Sequence, residues 1–136
     1  MDTAKKFANP LVETLQLSQS DFDVFAKLSG DDNPIHTDPI YAATTHFGAT
    51  VSHGMLLFSR LRAVLNGHFP GATLLEQSLT FTHPAYADQR LKLHLHIEAE
   101  EGGVMILHVD ILRPDGLSCL SGVCHLQSNE GKETPV

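Results

Sequence analysis

The sequence has no tryptophan, two tyrosines and two cysteines in 136 residues. So few cysteines exclude a disulfide framework as the main source of stability, and a domain of this length buries enough surface to fold without one. Positive charge is scarce as well. Nine Lys plus Arg stand against sixteen Asp plus Glu, a formal net charge of −7. That is the wrong sign for a protein held by phosphate backbones, so no nucleic-acid partner is expected. Long hydrophobic runs are missing too. The longest are four-residue pieces such as 55–58, far short of the roughly 20 residues that span a bilayer, and no membrane partner is expected. The stretch Met1-Asp2-Thr3-Ala4-Lys5-Lys6 has no hydrophobic segment behind its lysines, which leads to the expectation of a cytoplasmic protein.

What is present is an ordinary globular composition, 42% hydrophobic and 18% charged, at a length that suits one domain over 1–136. The ordered core is expected at about 9–127, because the polar tail from 128 and the first eight or so residues lack apolar anchors. Residues 91–99, Leu-Lys-Leu-His-Leu-His-Ile-Glu-Ala, alternate apolar and polar groups at period two, the signature of a half-buried strand. A turn at Glu100-Glu101-Gly102-Gly103 leads to a partner strand over 104–113. A second turn, Arg113-Pro114-Asp115-Gly116, precedes a third strand over 117–127. Segments 72–83 and 11–17 are candidates for a fourth and a fifth strand. The first three strands make an antiparallel meander, 11–17 would lie at an edge, and such a sheet leaves one face that needs cover.

The cover is supplied by 52–66, where Leu57, Phe58, Leu61, Val64 and Leu65 follow helical spacing and Met55 and Leu56 widen the stripe. Ser52 would cap this helix and Gly67 end it. Two shorter helices precede it. One spans 21–29, capped by Ser20 with Asp23 three residues on and stopped by Gly30; the other spans 39–47, with Asp38 as cap and Pro39 in its first turn, and is closed by Gly48. Helices on one face of an antiparallel sheet make the fold class α+β.

The chemistry concentrates in Ser29-Gly30-Asp31-Asp32-Asn33-Pro34-Ile35-His36-Thr37-Asp38, followed by Tyr41-Ala42, Phe47-Gly48 and Val51-Ser52-His53-Gly54-Met55-Leu56. A helix ends at Gly30, a proline-stiffened turn follows, and Asp31 and His36 stand at its two ends, able to converge on one water molecule. An Asp and a His are the parts of an acid/base pair, since one can hold a proton at neutral pH while the other gives one. The same residues also make ordinary turns, so composition alone leaves both readings open. His53 and Gly54 open the buried helix, where the first backbone N–H groups lack partners and carry the positive end of the dipole. Such an amide can polarise a thioester carbonyl and hold the enolate oxygen formed next to it; a glycine there also serves tight packing of helix against sheet, so spacing alone leaves both readings open.

These residues at these spacings closely resemble the MaoC-like dehydratase family, in particular its short (R)-specific enoyl-CoA hydratases. The match is dense over 29–57, and the order of elements suits that family's hot-dog fold, an antiparallel sheet wrapped around a long central helix with an overhanging helical segment. The resemblance implies that Asp31 and His36 hold and activate water and that the Gly54 amide is the oxyanion donor. Asn33 and Pro34 would shape the turn, His53 would support the site, and Phe47, Leu57 and Phe58 would line the acyl pocket. Asp32 falls at a variable position of the motif and is the second choice for the aspartate. Arg62 stands where some relatives carry a serine. The reaction implied is reversible syn hydration of trans-2-enoyl thioesters of CoA or acyl carrier protein to (R)-3-hydroxyacyl thioesters, with no cofactor and no metal, by a homodimer joined sheet edge to sheet edge.

The rivals are a hot-dog thioesterase and a catalytically silent acyl-thioester-binding subunit of a heterodimeric dehydratase. The Asp-x-Asn-Pro-x-His string belongs to hydratases rather than thioesterases, and retention of the pair speaks against a silent subunit. His94 and His96 form the best metal-ligand pair by spacing, but Lys92 and Glu98 on the same strand face read as a solvated surface, and His108 and His125 are similar. Cys119 and Cys124 are expected to be core thiols, too far apart along one strand for a bridge. Cations that could offset the acidity near an anionic substrate are Arg60, Arg62, Arg90 and Lys92.

Overall fold

The period-two pattern of the C-terminal half forms three long strands, and the helical stripe lies across them. The structure, a computed structural model, describes residues 9–128. The elements in chain order are β1 (Leu11–Gln16), α1 (Gln19–Ser29), α2 (Pro34–Thr37), α3 (Pro39–Ala43), α4 (Gly54–His68), β2 (Thr73–Phe81), β3 (Arg90–Glu101), β4 (Val104–Leu112) and β5 (Ser118–Gln127). The five strands form one antiparallel sheet in the order β1-β3-β4-β5-β2, so β1 and β2 are its edges.

Alternation decides which face is which. Leu91, Leu93, Leu95 and Ile97 of β3 are buried and sit opposite Ile111, Val109 and Leu107 of β4 in register, while Lys92, His96 and Glu98 point to solvent. α4 sends Leu56, Leu57, Leu61 and Leu65 into the same core cluster, closing the inner face. Burying each of these leucines contributes roughly 1.5 to 3 kcal/mol.

Several boundaries differ from the sequence reading, each for a local reason. α1 starts two residues earlier, with Ser18 rather than Ser20 as cap: the Ser18 Oγ accepts from the Asp21 N–H, and the Asp21 carboxylate accepts from the Ser18 N–H. Both serines have an aspartate three residues on; the capping box forms at Ser18, which brings Gln19 into the first turn with its side chain donating to His36 O and accepting from the Thr50 Oγ1. Residues 34–37, expected as a turn, make the short helix α2. α3 ends at Ala43 rather than Phe47, since the Thr44 and Thr45 hydroxyls donate back to Tyr41 O and Ala42 O. α4 begins at Gly54 with His53 at the cap position; the Ser52 Oγ donates to His53 O and does not cap. It continues through Gly67 to His68, and the buried Phe69 ends it.

β2 covers 73–81 and faces solvent along most of its length. Its contact with β5 depends on Gly122, where an added Cβ would lie 1.9 Å from Ser78 O. A register shift beside Ile111 and Leu112 changes the phase of β5, so Cys119 and Leu120 are buried one after the other. Cys119 and Cys124, five residues apart, are therefore both buried, and both are free thiols as expected.

Candidate active site

Local capping chemistry presents the Asp31–His36 segment. α1 stops at Gly30, which takes the left-handed conformation (φ 81°) and donates its N–H to Ala26 O. The Asp31 N–H then donates to the Ser29 Oγ at 3.1 Å. The Asn33 side chain accepts from the Ile35 N–H and caps α2, with Pro34 in its first turn. Asn33 and Pro34 are thus turn formers that set the angle of α2. Asp38 caps α3 in the same way, accepting from the Ile40 and Tyr41 N–H groups.

The outcome is a convergence across five residues. The His36 Nε2 lies 3.8 Å from the Asp31 Oδ2, with the histidine side chain 10% exposed and the aspartate side chain 56% exposed. That distance is too long for a direct hydrogen bond and leaves room for one water within about 2.8 Å of both atoms. The His36 Nδ1 is 2.7 Å from Val51 O. A carbonyl only accepts, so Nδ1 carries the proton and Nε2 turns its lone pair toward Asp31. Asp32 goes elsewhere, into a separate polar groove with Asp23, Lys27 and Thr37. The structure separates two aspartates that the sequence leaves side by side.

A cleft of about 300 Å³ opens beside His36. Its walls are largely apolar, from Ile35, Phe47, Val51, Leu57 and Ala85, and Gly54 borders it. As the first residue of α4, Gly54 has an N–H without an intrahelical partner, backed by the positive end of the helix. Phe47 and Leu57, expected to line an acyl pocket, are both among the lining of this cleft. Phe58 does not line the cleft; it is partly buried and packs against the main core, because it lies on a different side of α4 from Leu57. Ser59 donates its hydroxyl to Leu56 O, and Arg62 is not among the lining residues.

Sequence reasoning missed the wall formed by Phe81, Thr82, His83 and Pro84. These residues end and follow an edge strand more than 25 positions from Gly54, and nothing in their pattern points back to it. The Phe81 ring stands 3.3 Å from where a Cβ on Gly54 would be. A side chain at 54 would press on that ring and move it by a few tenths of an ångström, so the glycine also serves this packing contact. Cys119 also borders the cleft, and burial pushes its thiol up to about 11, so it stays protonated and a poor nucleophile.

Ligand atoms of Asp31, His36 and His53 all lie within 4.8 Å of one another, close enough to raise the question of a metal ion. The geometry does not suit one. The two imidazoles are stacked, with centroids 3.8 Å apart and planes 25° from parallel. Their in-plane lone pairs lie in two near-parallel planes, so one ion cannot be in line with both, and the His53 Nε2 is engaged with Asp31 O at 2.9 Å. On the outer sheet face, His96 stands opposite His108, whose Nε2 is 3.8 Å from Glu98. Neither His94 nor His96 joins a close group of three ligands among the described residues.

Residues 5–111 match the family model described as a MaoC like domain. The chain is 35% identical over 102 residues to the (R)-specific enoyl-CoA hydratase of Aeromonas caviae, which covers 72% of this chain and 76% of that protein. It is 39% identical over 84 residues to the mitochondrial 3-hydroxyacyl-[acyl-carrier-protein] dehydratase of Arabidopsis thaliana, over 62% of this chain; the chain spans about half that relative's length, 51%. The solved structure of the (R)-hydratase from A. caviae involved in PHA biosynthesis superposes with a TM-score of 0.81 at 28% identity, covering 92% of this chain and 99% of that one.

Proposed function

The chain belongs to the MaoC-like domain family, and on that premise we propose that it catalyses reversible syn hydration of trans-2-enoyl thioesters to (R)-3-hydroxyacyl thioesters. The observation that carries this reading is the 3.8 Å gap between the Asp31 Oδ2 and the His36 Nε2, opening on an apolar cleft that the Gly54 amide borders. A water in that gap can be held by the carboxylate and can give a proton to the imidazole lone pair. Its oxygen bonds to the β-carbon, the proton it sheds passes to the pair, and the pair returns a proton to the α-carbon on the same face. H and OH are added in total, and the pair regains its starting protonation. While the electrons rest on the thioester oxygen, the Gly54 N–H and the end of α4 stabilise that charge.

The substrate is a thioester of CoA or of an acyl carrier protein, and the working form is a homodimer. β2 pairs with β5 on one side only and exposes Leu75 and Phe81, which supports pairing of a second copy along that edge. Among the described residues, no helix is long and apolar enough to cross a membrane. The test is loss of the ultraviolet absorbance of crotonyl-CoA by the wild-type protein and by Asp31→Asn, with the chirality of the product determined. Loss giving the (R)-3-hydroxy product, abolished in the variant, is the expected result. Release of free thiol would favour a thioesterase. No reaction with CoA or carrier-protein thioesters of any length would favour a silent subunit.

A further inference from the structure

Neither the water nor the acyl group needs His53, yet it is one of the most buried polar residues of the protein, 2% exposed. It stands at the cap position of α4 without capping it. Its ring meets three neighbours. The Nε2 lies 2.9 Å from Asp31 O, one ring face stacks on His36, and Phe25 of α1 meets the ring edge-on with centroids 4.9 Å apart and planes at 60°. Its Nδ1 is buried with no hydrogen-bond partner among the described residues.

We propose that His53 is a positioning residue that holds the Asp31 main chain and the His36 ring in register with each other. The Asp31 carboxylate is more than half exposed, so packing does not hold it. What holds it is its backbone, whose N–H donates to the Ser29 Oγ and whose carbonyl accepts from the His53 Nε2–H. With both backbone groups engaged, only the two side-chain torsions of Asp31 stay free. His36 is fixed in its own plane by the Nδ1–H donated to Val51 O, and against tilting by the His53 ring beneath it. Removing His53 frees one member of the pair along its chain and the other out of its plane.

The two rings are thus held as opposite tautomers, His36 with its proton on Nδ1 and His53 with its proton on Nε2. A second proton on His53 would have to sit on the buried, unpartnered Nδ1. Burial pushes the His53 pKa below its ordinary 6.5, the Asp31 carbonyl opposes this, the neighbouring His36 adds to it, and the Asp31 carboxylate opposes it weakly. Phe25, the other ring in contact with it, is uncharged. A neutral His53 spares His36 a like charge at the moment the reaction makes it an imidazolium.

The kinetic arm of the test rests on the hydratase reading, while the spectroscopic arm does not. His53→Gln keeps an N–H donor of similar reach, and His53→Phe keeps a stacking ring without the donor. We expect kcat for crotonyl-CoA hydration to fall more than about 10-fold in His53→Phe with KM nearly unchanged, since misplacing a catalytic group by an ångström can cost about 10²-fold. His53→Gln should regain several-fold of that loss. Ring nitrogen chemical shifts of the wild-type protein should show the Nε2–H tautomer for His53 from pH 6 to 8 and the Nδ1–H tautomer for neutral His36. Wild-type kcat in His53→Phe, equal losses in both variants, a loss confined to KM, or a His53 that titrates near 6.5 would each overturn the proposal. If His53→Phe does not fold, His53→Gln and the nitrogen shifts decide. If the wild-type protein hydrates nothing, the hydratase reading fails and the shifts still decide the tautomers.

Discussion

At the scale of single residues, identity and position do different work. Asp31 and Asp32 are chemically the same and adjacent, but one faces the His36 Nε2 and the other a separate groove. Asp31→Asn should therefore lower the hydration rate by 10²–10⁴-fold, about 3 to 5 kcal/mol of barrier, while Asp32→Asn should leave it within a few-fold. Steady-state assays on the two variants, with melting curves to show that both fold, check this directly. The cysteines make a similar point. Both thiols are buried and pushed up by burial, Cys119 to about 11. A thiol-specific reagent should label neither in the native protein at pH 8 and both in denaturant.

At the scale of elements, short-range signals are read correctly in kind and imprecisely in place. Ser18-x-x-Asp21 and Ser20-x-x-Asp23 are the same capping signal in two registers, and the structure forms the reciprocal pair of hydrogen bonds at the first. Ser18→Ala should cost 0.5 to 2 kcal/mol in urea unfolding and Ser20→Ala close to nothing. The reverse ranking would mean that the helix starts where the sequence alone suggested. α4 shows the opposite case, since Gly67 carries a stop signal that the buried Phe69 overrides two residues on. The β2–β5 pair rests on the lack of a side chain at Gly122. A methyl there would meet the main chain at Ser78, which cannot give way as a flexible side chain would. Gly122→Ala should destabilise the protein by 1 to 3 kcal/mol or more, and hydrogen exchange should show β2 opening first.

At the scale of the whole molecule, the sheet has a core strand pair covered by α4 and an edge, β2, that is exposed over most of nine residues. An uncovered edge of that length invites pairing with another chain. Light scattering after gel filtration should give a mass twice the 14.8 kDa of the chain. A monomer at micromolar concentration would remove the homodimer. The outer face carries His94, His96 and Lys92 beside Glu98 and Asp110, a mixed polar surface that matches the solvated reading of those histidines.

By itself the sequence determined the α+β class, the three-strand meander and the long covering helix, and its resemblance to a known family singled out Asp31, His36 and Gly54 as site candidates. The fold features follow from local chemistry: period-two alternation and a helical stripe. Tertiary structure alone decided the rest. It brought residues 81–84 across from Gly54, turned Phe58 toward the core, and separated Asp32 from the pair. It also buried Cys119 beside Leu120 through a shift in strand register, and stacked His53 on His36 from 17 positions away. Each of these depends on contacts between segments far apart in the chain, and no spacing rule within a single segment carries that information.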